Sequence, residues 1–359
     1  MTLTHLREGS RIFITSLHQR MLHKKYPGNA QQICKQIVAD CWNGRFFQTS
    51  TGHFSQFWTR DFGLSTQALL ALNYHHEVHQ TLRYALNHFK DQGKITCAIA
   101  PNGKPFDFPK YAVDSLPWLI HSIKLAKFPY YSYKEFLNKE IKRFFHLVIN
   151  SDTGLVRPDV HFSSLKDQAI RRSSCYDNCM AGLMAKDLSQ MKNLLNPLDK
   201  YDYPSLLLRH FWNGHYFYDD LRKQEYVAGD ANLFPFLFRL CIDKPMLEAV
   251  VHAIRSNELD KPFPLKYTKD RTNIEFIWQE VFARNYESNA VWMHMGPLYV
   301  KIVKEIDPQL AAEYKEKYLK LIESHGNFME VFTSEGKPFS SPFYYADQGM
   351  LWAANYLML

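Results

Sequence analysis

The stretch "FSQFWTRDFGLSTQALLAL", residues 54–72, opens with aromatic side chains, passes through the adjacent pair Arg60 and Asp61, and continues with apolar residues at helical spacing. That spacing predicts a helix over 63–75. A second helical pattern, 77–91, follows with almost no connection, so the two helices must run antiparallel and bury their apolar faces on neighbours. The arrangement recurs at 290–305 with 308–324, and further helices are predicted at 6–22, 29–42, 112–127, 132–149, 178–192, 203–210, 231–241, 244–255 and 346–357. Proline and glycine punctuate the gaps, as in "YPGN" (26–29), "PNGKP" (101–105), "NPLDKYDYP" (196–204) and "DKPFPLK" (260–266). Strand-like pieces are few: 214–220 and 225–229 as a hairpin, 152–159, and 328–339. No strand–helix alternation runs through the chain, which disfavours a parallel sheet. The expectation is an all-α fold, an (α/α)6 barrel of six helical hairpins with short β-hairpins in its loops. Periodicity alone leaves an open solenoid as the alternative.

The chain has 359 residues, and no Ser/Gly-rich or low-complexity linker divides it, so one domain over 1–359 is expected. Hydrophobic residues make up 46% and charged residues 22%, a globular composition. The 26 Phe, 21 Tyr and 7 Trp exceed what is usual; aromatics pack cores and also stack on the C–H faces of sugars. The net charge of +7 is spread over solvated helix faces such as "EYKEKYLK" (313–320), and no basic run is interleaved with aromatics, so nucleic acid is not an expected partner. The first 25 residues lack the continuous apolar core of a secretory signal, and no apolar run approaches the ~20 residues that span a bilayer. A soluble cytoplasmic protein is expected, without membrane association. The cysteines at 34, 41, 97, 175, 179 and 241 are then expected to be reduced and buried. No GxSxG, HExxH, P-loop or GxGxxG occurs. His75 and His79 lie four apart on a helix, and Cys175 and Cys179 four apart in "CYDNC", but neither pair has the partners of a metal site. No metal or organic cofactor is expected. The oligomeric state is not legible.

Four acidic segments sit among aromatics or at predicted helix ends. In the first, Trp58, Arg60 and Asp61 form a clamp suited to sugar hydroxyls, since a carboxylate accepts from two neighbouring O–H groups and a guanidinium donates to oxygens. Asp61 could equally cap its helix. In the second, "YAVDSLPWLIHSIKLAK" (111–127), Asp114 precedes a helix that carries Trp118. In the third, "RRSSCYDNCMAGLMAKDL" (171–188), Asp177 and Asn178 open a helix. In the fourth, Glu330 lies between Met329 and Val331 in an aromatic-rich extended segment. Burial there would raise its pKa and suit it to proton transfer near neutral pH.

Taken in order, "FWTRDFGLSTQALLAL", "YAVDSLPWLI", "SSCYDNCMAGL", "NAVWMHMGPLYV" and "NFMEVFTSEGKPF" with "ADQGMLWAANYLM" resemble the motif series of six-hairpin glycosidases. The nearest are the family 63 glycoside hydrolases (processing α-glucosidase, mannosylglycerate or glucosylglycerate hydrolase) and the amylo-α-1,6-glucosidase domain of glycogen debranching enzymes. The resemblance runs from about 54 to 358. It implies an inverting, exo-acting α-glucosidase on an oligosaccharide or small glucoside, with Asp177 as general acid and Glu330 as general base. Trp58, Arg60, Asp61, Asp114, Trp118, Asn178 and Trp292 would bind the sugar, Trp292 as the pocket floor. The chain departs from the pattern at Cys175-Tyr176, where the family usually has Gly-Met, at Cys179-Met180 in place of Ser-Pro, and at "WMHM" in place of "WPP". Alternatives within the architecture are a neutral invertase or trehalase type of hydrolase, a sugar 2-epimerase working with paired histidines, for which only His294 sits in a pocket motif, and an inactive carbohydrate-binding homologue.

Overall fold

Five helices of this chain begin where a side chain takes up free N–H groups of the first turn. The computed structural model describes residues 3–359. Asn29 and Gln32 form a capping box at the start of α2 (Ala30–Cys41). Ser174 caps α7 (Cys175–Leu188), and Asp202, Asp243 and Asp307 cap α8 (Tyr203–Phe211), α10 (Lys244–Ser256) and α12 (Pro308–His325). These last three also carry proline in the first turn, where its missing N–H costs nothing. The remaining helices are α1 (Leu3–Met21), α3 (Thr59–Ala71), α4 (His75–Gln92), α5 (Ser115–Leu125), α6 (Lys134–Val148), α9 (Gly229–Leu237), α11 (Gly296–Val303) and α13 (Ala353–Tyr356).

The packing order closes a ring. Helix α3 packs on α5, α5 on α7, α7 on α9, α9 on α11, α11 on α13, and α13 returns to α3. Helices α4, α6, α8, α10 and α12 each lie outside the inner helix that precedes them, and α2 lies outside α13. The result is an (α/α)6 barrel, closed where the helical periodicity left a solenoid open. The two layers differ as their sequences require. Helix α7 buries residues on every side, whereas α10 buries only the stripe Leu247, Val250, Val251, Ala253 and Ile254. Gly63 sets the α3–α5 approach, since a Cβ there would lie 2.7 Å from the Trp118 ring.

Three outer helices end in the same turn. After α2, Trp42-Asn43-Gly44 reverses the chain, with Asn43 Oδ1 accepting from Arg45 and Phe46 N–H and Trp42 packing on Phe47. After α8, Trp212-Asn213-Gly214 does the same with His215, Tyr216 and Phe217. Asn150 and Gly154 repeat the pattern after α6. The glycines hold positive φ, where a Cβ would be strained.

Several expectations are corrected. The pair 214–220 with 225–229 is not a hairpin; the local bridge is Trp212 to Phe217. The pattern over 290–305 splits into strand β6 (Val291–Trp292) and α11, because Val291 and Trp292 pair antiparallel with β7 (Val331–Phe332). The last helix is confined to Ala353–Tyr356, because Gly349 has positive φ and the Asp347 carboxylate accepts from the N–H groups of His53, Phe54 and Gln348. Strands β1 (Phe57–Trp58), β2 (Ala98–Ile99) and β3 (Pro105–Phe106) form a small antiparallel sheet at the entry to α3, and β4 (Ala169–Ile170) pairs with β5 (Glu275–Phe276). All six cysteines are buried and unpaired. No helix among the described residues is long and apolar enough to cross a membrane.

Candidate active site

Because inner-helix N-termini converge at one end of the ring, the residues that open those helices surround a cavity of about 440 Å³. Trp58, Arg60 and Asp61 enter it from the start of α3, Trp292 and His294 from the approach to α11, and Trp352 from the start of α13. Its carboxylates are Glu8, Asp61, Asp167, Glu287 and Glu330. The volume falls within the range of small-molecule sites.

Glu330 is held from three sides. Its carboxylate accepts from the hydroxyl of Tyr286, from that of Tyr344 at 2.5 Å, and from the backbone N–H of Asp347 at 3.0 Å. Burial pushes its pKa up, to about 8, while the three donors pull it down by favouring the ionised form. All three groups can donate to the ionised carboxylate, so the site solvates the anion while burial raises its basicity. Trp292 braces the arrangement: its Nε1 donates to the carbonyl of Tyr286 at 2.8 Å, and the two rings meet edge to face.

Glu287, the next residue, faces the opposite wall. Its carboxylate takes the N–H groups of Asp167, Gln168 and Ala169 at 2.7–3.0 Å and so fixes the loop that carries Asp167 into the cavity. Successive side chains of one short segment therefore grip both Glu330 and the Asp167 loop. Asp167 lies 3.6 Å from Arg60, yet burial outweighs that cation and raises its pKa to about 6. Burial also raises Glu287, with the neighbouring Asp167 charge adding to it.

Arg60 in turn is oriented by Asp114, which accepts from its Nε at 2.6 Å and from the Tyr176 hydroxyl at 2.9 Å. Asp61 faces the cavity, and burial pushes its pKa up to about 7 against the pull of Arg60 and of a backbone N–H. His294 is buried with Nδ1 unpartnered, and burial lowers its pKa so that it is neutral. Beneath the Asp167 loop, Lys166 and Arg171 interlock with Asp219 and Asp230, all four buried. Among the described residues, no group of three or more His, Cys, Asp or Glu is arranged to hold a metal ion.

The expected residues thus divide. Trp58, Arg60, Asp61, Trp292 and Glu330 line the cavity together. Asp114 is one step removed and acts on Arg60. Trp118 lies outside the lining: its ring packs against α3, and its Nε1 donates to the Tyr176 hydroxyl at 3.0 Å. Asn178 lies outside it too: it is buried, accepts from Val156 N–H at 2.9 Å, and donates to Ser173 and Ser174, pinning the turn before α7. Asp177 is not among the lining residues. Its carboxyl is buried near Ser164 and Arg171, its pKa is raised by burial to about 6, and Leu165, Asp167 and Gln168 of the covering loop face the cavity instead. Asp167 lacks aromatic neighbours in sequence, so a search for acids among aromatics passes over it. Glu287 follows Tyr286 and precedes Trp292 closely, a signal that was present and unused.

No family model matches the sequence, and no curated protein matches it. Solved structures do. A rhamnosidase from Klebsiella oxytoca with rhamnose bound superimposes with a TM-score of 0.62 at 10% identity, over 93% of this chain and 65% of that one. A GH63 mannosylglycerate hydrolase from Thermus thermophilus, in complex with Tris, gives 0.61 at 11%, over 92% and 99%. A bacterial glucoamylase complexed with acarbose gives 0.59 at 15%, over 91% and 53%. This chain therefore spans about two thirds of the rhamnosidase and about half of the glucoamylase, but nearly all of the mannosylglycerate hydrolase. At these identities the shared property is the fold: the chain has the six-hairpin fold of these glycosidases.

Proposed function

We propose that this protein is a glycoside hydrolase that removes a terminal sugar with inversion, with Glu330 as general base and Asp167, rather than Asp177, as general acid. The observation that carries the reading is Glu330 itself, a buried carboxylate on the cavity wall that accepts three hydrogen bonds. Ionised, it draws a proton from a water that attacks the anomeric carbon. Protonated Asp167 donates to the departing glycosidic oxygen. Inverting chemistry needs the two carboxyl groups roughly 6.5–9.5 Å apart, so that the water fits between base and sugar. Arg60 and Asp61 bind the hydroxyls of the sugar, and Trp292 offers it a face. Support for a carbohydrate substrate comes from the fold shared with sugar-bound glycosidases, and an α-glucoside is the first substrate to try.

The test is sugar release from α-glucosides, α-mannosides and α-rhamnosides by the native protein, Glu330→Gln, Asp167→Asn and Asp177→Asn, with the first-formed anomer read by proton NMR. Release by the native protein and Asp177→Asn, lost in the other two, with the inverted anomer formed first, supports the proposal. Loss in Asp177→Asn with activity kept in Asp167→Asn returns the acid to Asp177. Retention of configuration overturns the inverting mechanism. Neutral His294 in the cavity favours one second reading, sugar epimerisation, which the same spectra detect as a new free monosaccharide from a monosaccharide supplied alone.

A further inference from the structure

Behind Glu330 sits a histidine that is not among the residues lining the cavity. His53 is fully buried in the loop ahead of β1, and its Nε2 lies 3.0 Å from the Tyr344 hydroxyl. The same hydroxyl lies 2.5 Å from Glu330 Oε2. On its other side, His53 Nδ1 lies 3.0 Å from Gln19 Oε1 and 3.4 Å from Asp347 Oδ1. The Gln19 amide is oriented from its far end, where Nε2 donates to Asp347 Oδ1 at 2.9 Å. Nδ1 therefore faces only acceptors, and it carries a proton.

Four contacts here need one proton each: Tyr286 with Glu330 Oε1, Tyr344 with Glu330 Oε2, Tyr344 with His53 Nε2, and His53 Nδ1 with Gln19. The two hydroxyls and a neutral imidazole supply three. The set is complete only when a fourth proton sits on Glu330 or on His53 Nε2. Burial lowers the pKa of His53, outweighing the Asp347 charge, and Arg11 acts with burial. Burial raises Glu330, with the Asp347 charge adding to it against its hydrogen-bond donors. The fourth proton thus belongs to Glu330, which donates from Oε2 to the Tyr344 oxygen while Tyr344 donates to His53 Nε2. When Glu330 ionises, its proton leaves to solvent and the Tyr344 O–H turns back to the carboxylate. His53 Nε2 then has no donor. We propose that His53 is a positioning residue for the base: by accepting from Tyr344 it stabilises the protonated form of Glu330 and raises the proton affinity of that carboxyl. The kinetic consequence rests on the reading of Glu330 as general base.

The first test is the pH profile of kcat/KM in His53→Phe, which keeps an aromatic ring beside Phe54 and Tyr344 and removes the acceptor. The alkaline edge is expected to fall by up to about one pH unit, and the plateau below it to rise about three- to tenfold, the equivalent of one hydrogen bond between uncharged groups. In a Tyr344→Phe background, which has no hydroxyl to turn, adding His53→Phe is expected to change the plateau by less than about twofold. A purely structural role for His53 would lower the denaturation midpoint in both backgrounds and leave the edge in place, and that result overturns the proposal. The second test needs neither turnover nor a folded His53 variant. In protein labelled with 15N-histidine, with His53 assigned through its neighbour Phe54, Nδ1 is expected to be protonated and Nε2 bare between about pH 6 and 8. The Nε2 signal is expected to move as Glu330 ionises near pH 8, and not to move in Tyr344→Phe. A proton on Nε2 in that range overturns the proposal. An alkaline edge that falls without a rise in the plateau supports the His53 contact and removes Glu330 from the role of base. No turnover of any glycoside sinks the hydrolase reading, while the imidazole spectra still decide the part played by His53.

Discussion

Removing one hydroxyl from Glu330 distinguishes a base from an acid at that position. In Tyr286→Phe the ring keeps its edge-to-face contacts with Trp292 and Phe339, and the hydroxyl that donates to the carboxylate is lost together with its 3.4 Å contact to the Tyr344 hydroxyl. A hydrogen bond to a charged group contributes about 1.5–3 kcal/mol. One pKa unit corresponds to about 1.4 kcal/mol, so the loss raises Glu330 by roughly 1–2 units from its already elevated value of about 8. On the proposed mechanism, the active form needs Glu330 ionised and Asp167, at about 6, protonated. With the base above the acid, roughly one molecule in a hundred is correctly protonated between those two values, and kcat/KM is flat across that window. Raising the base by one unit lowers the plateau about tenfold and moves its upper edge to about pH 9, above which variant and native enzyme converge. The assay is kcat/KM from pH 5 to 10 on one substrate. Were Glu330 the acid, the same substitution would leave the rate at pH 7 intact and only extend the alkaline limb. That outcome, or a loss equal at every pH, refutes the assignment.

Asp167→Asn lowers kcat/KM by about 10²–10⁴ on alkyl glycosides but far less on glycosyl fluorides, whose departure needs less proton assistance; a steady-state comparison of the two checks it. Asp114→Asn leaves the cation of Arg60 poorly paired in a buried setting, so KM rises, and thermal denaturation shows a loss that approaches the 3–5 kcal/mol typical of a broken buried pair. Gly63→Ala forces a methyl to 2.7 Å from Trp118 and destabilises by about 1–3 kcal/mol through overpacking, read as a lower midpoint in urea. The buried acids also make part of the stability fall as pH rises. Asp61, Asp167, Asp177 and Glu330 have folded-state pKa values above the unfolded ones, so their contribution is fully present below about pH 4 and is lost progressively up to about pH 8. Between about pH 7 and 8, above the range where buried neutral histidines such as His53 and His294 act in the opposite sense, denaturation midpoints decline in the native protein and decline less in Glu330→Gln.

Which parts of the molecule could be read in advance follows from the range of the forces involved. Helical periodicity is local, so outer helices such as α4, α6 and α10, each with one apolar stripe, were legible in position. Ends were less so, because caps such as Ser174 ahead of α7 and the strand pairing of Val291 and Trp292 with Val331 and Phe332 override propensity. The motif order identified the architecture, and it pointed to Arg60, Asp61, Trp292 and Glu330, which line the cavity, because aromatic or charged neighbours in sequence mark each of them.

The sequence by itself determined a helical chain, its hairpin pairing, and the aromatic and charged residue types that line the cavity. Ring closure, by contrast, depends on α13 meeting α3, two segments at far ends of the chain, and only the tertiary structure decides that. The direction of each side chain depends on it as well. Asp177 and Asp167 are ten residues apart and both acidic, but α7 holds the first under a loop while Glu287, from more than a hundred residues away, fixes the N–H groups of that loop so that the second faces the cavity. Burial and pairing are properties of the packed chain, and they decide which carboxyl can meet a substrate.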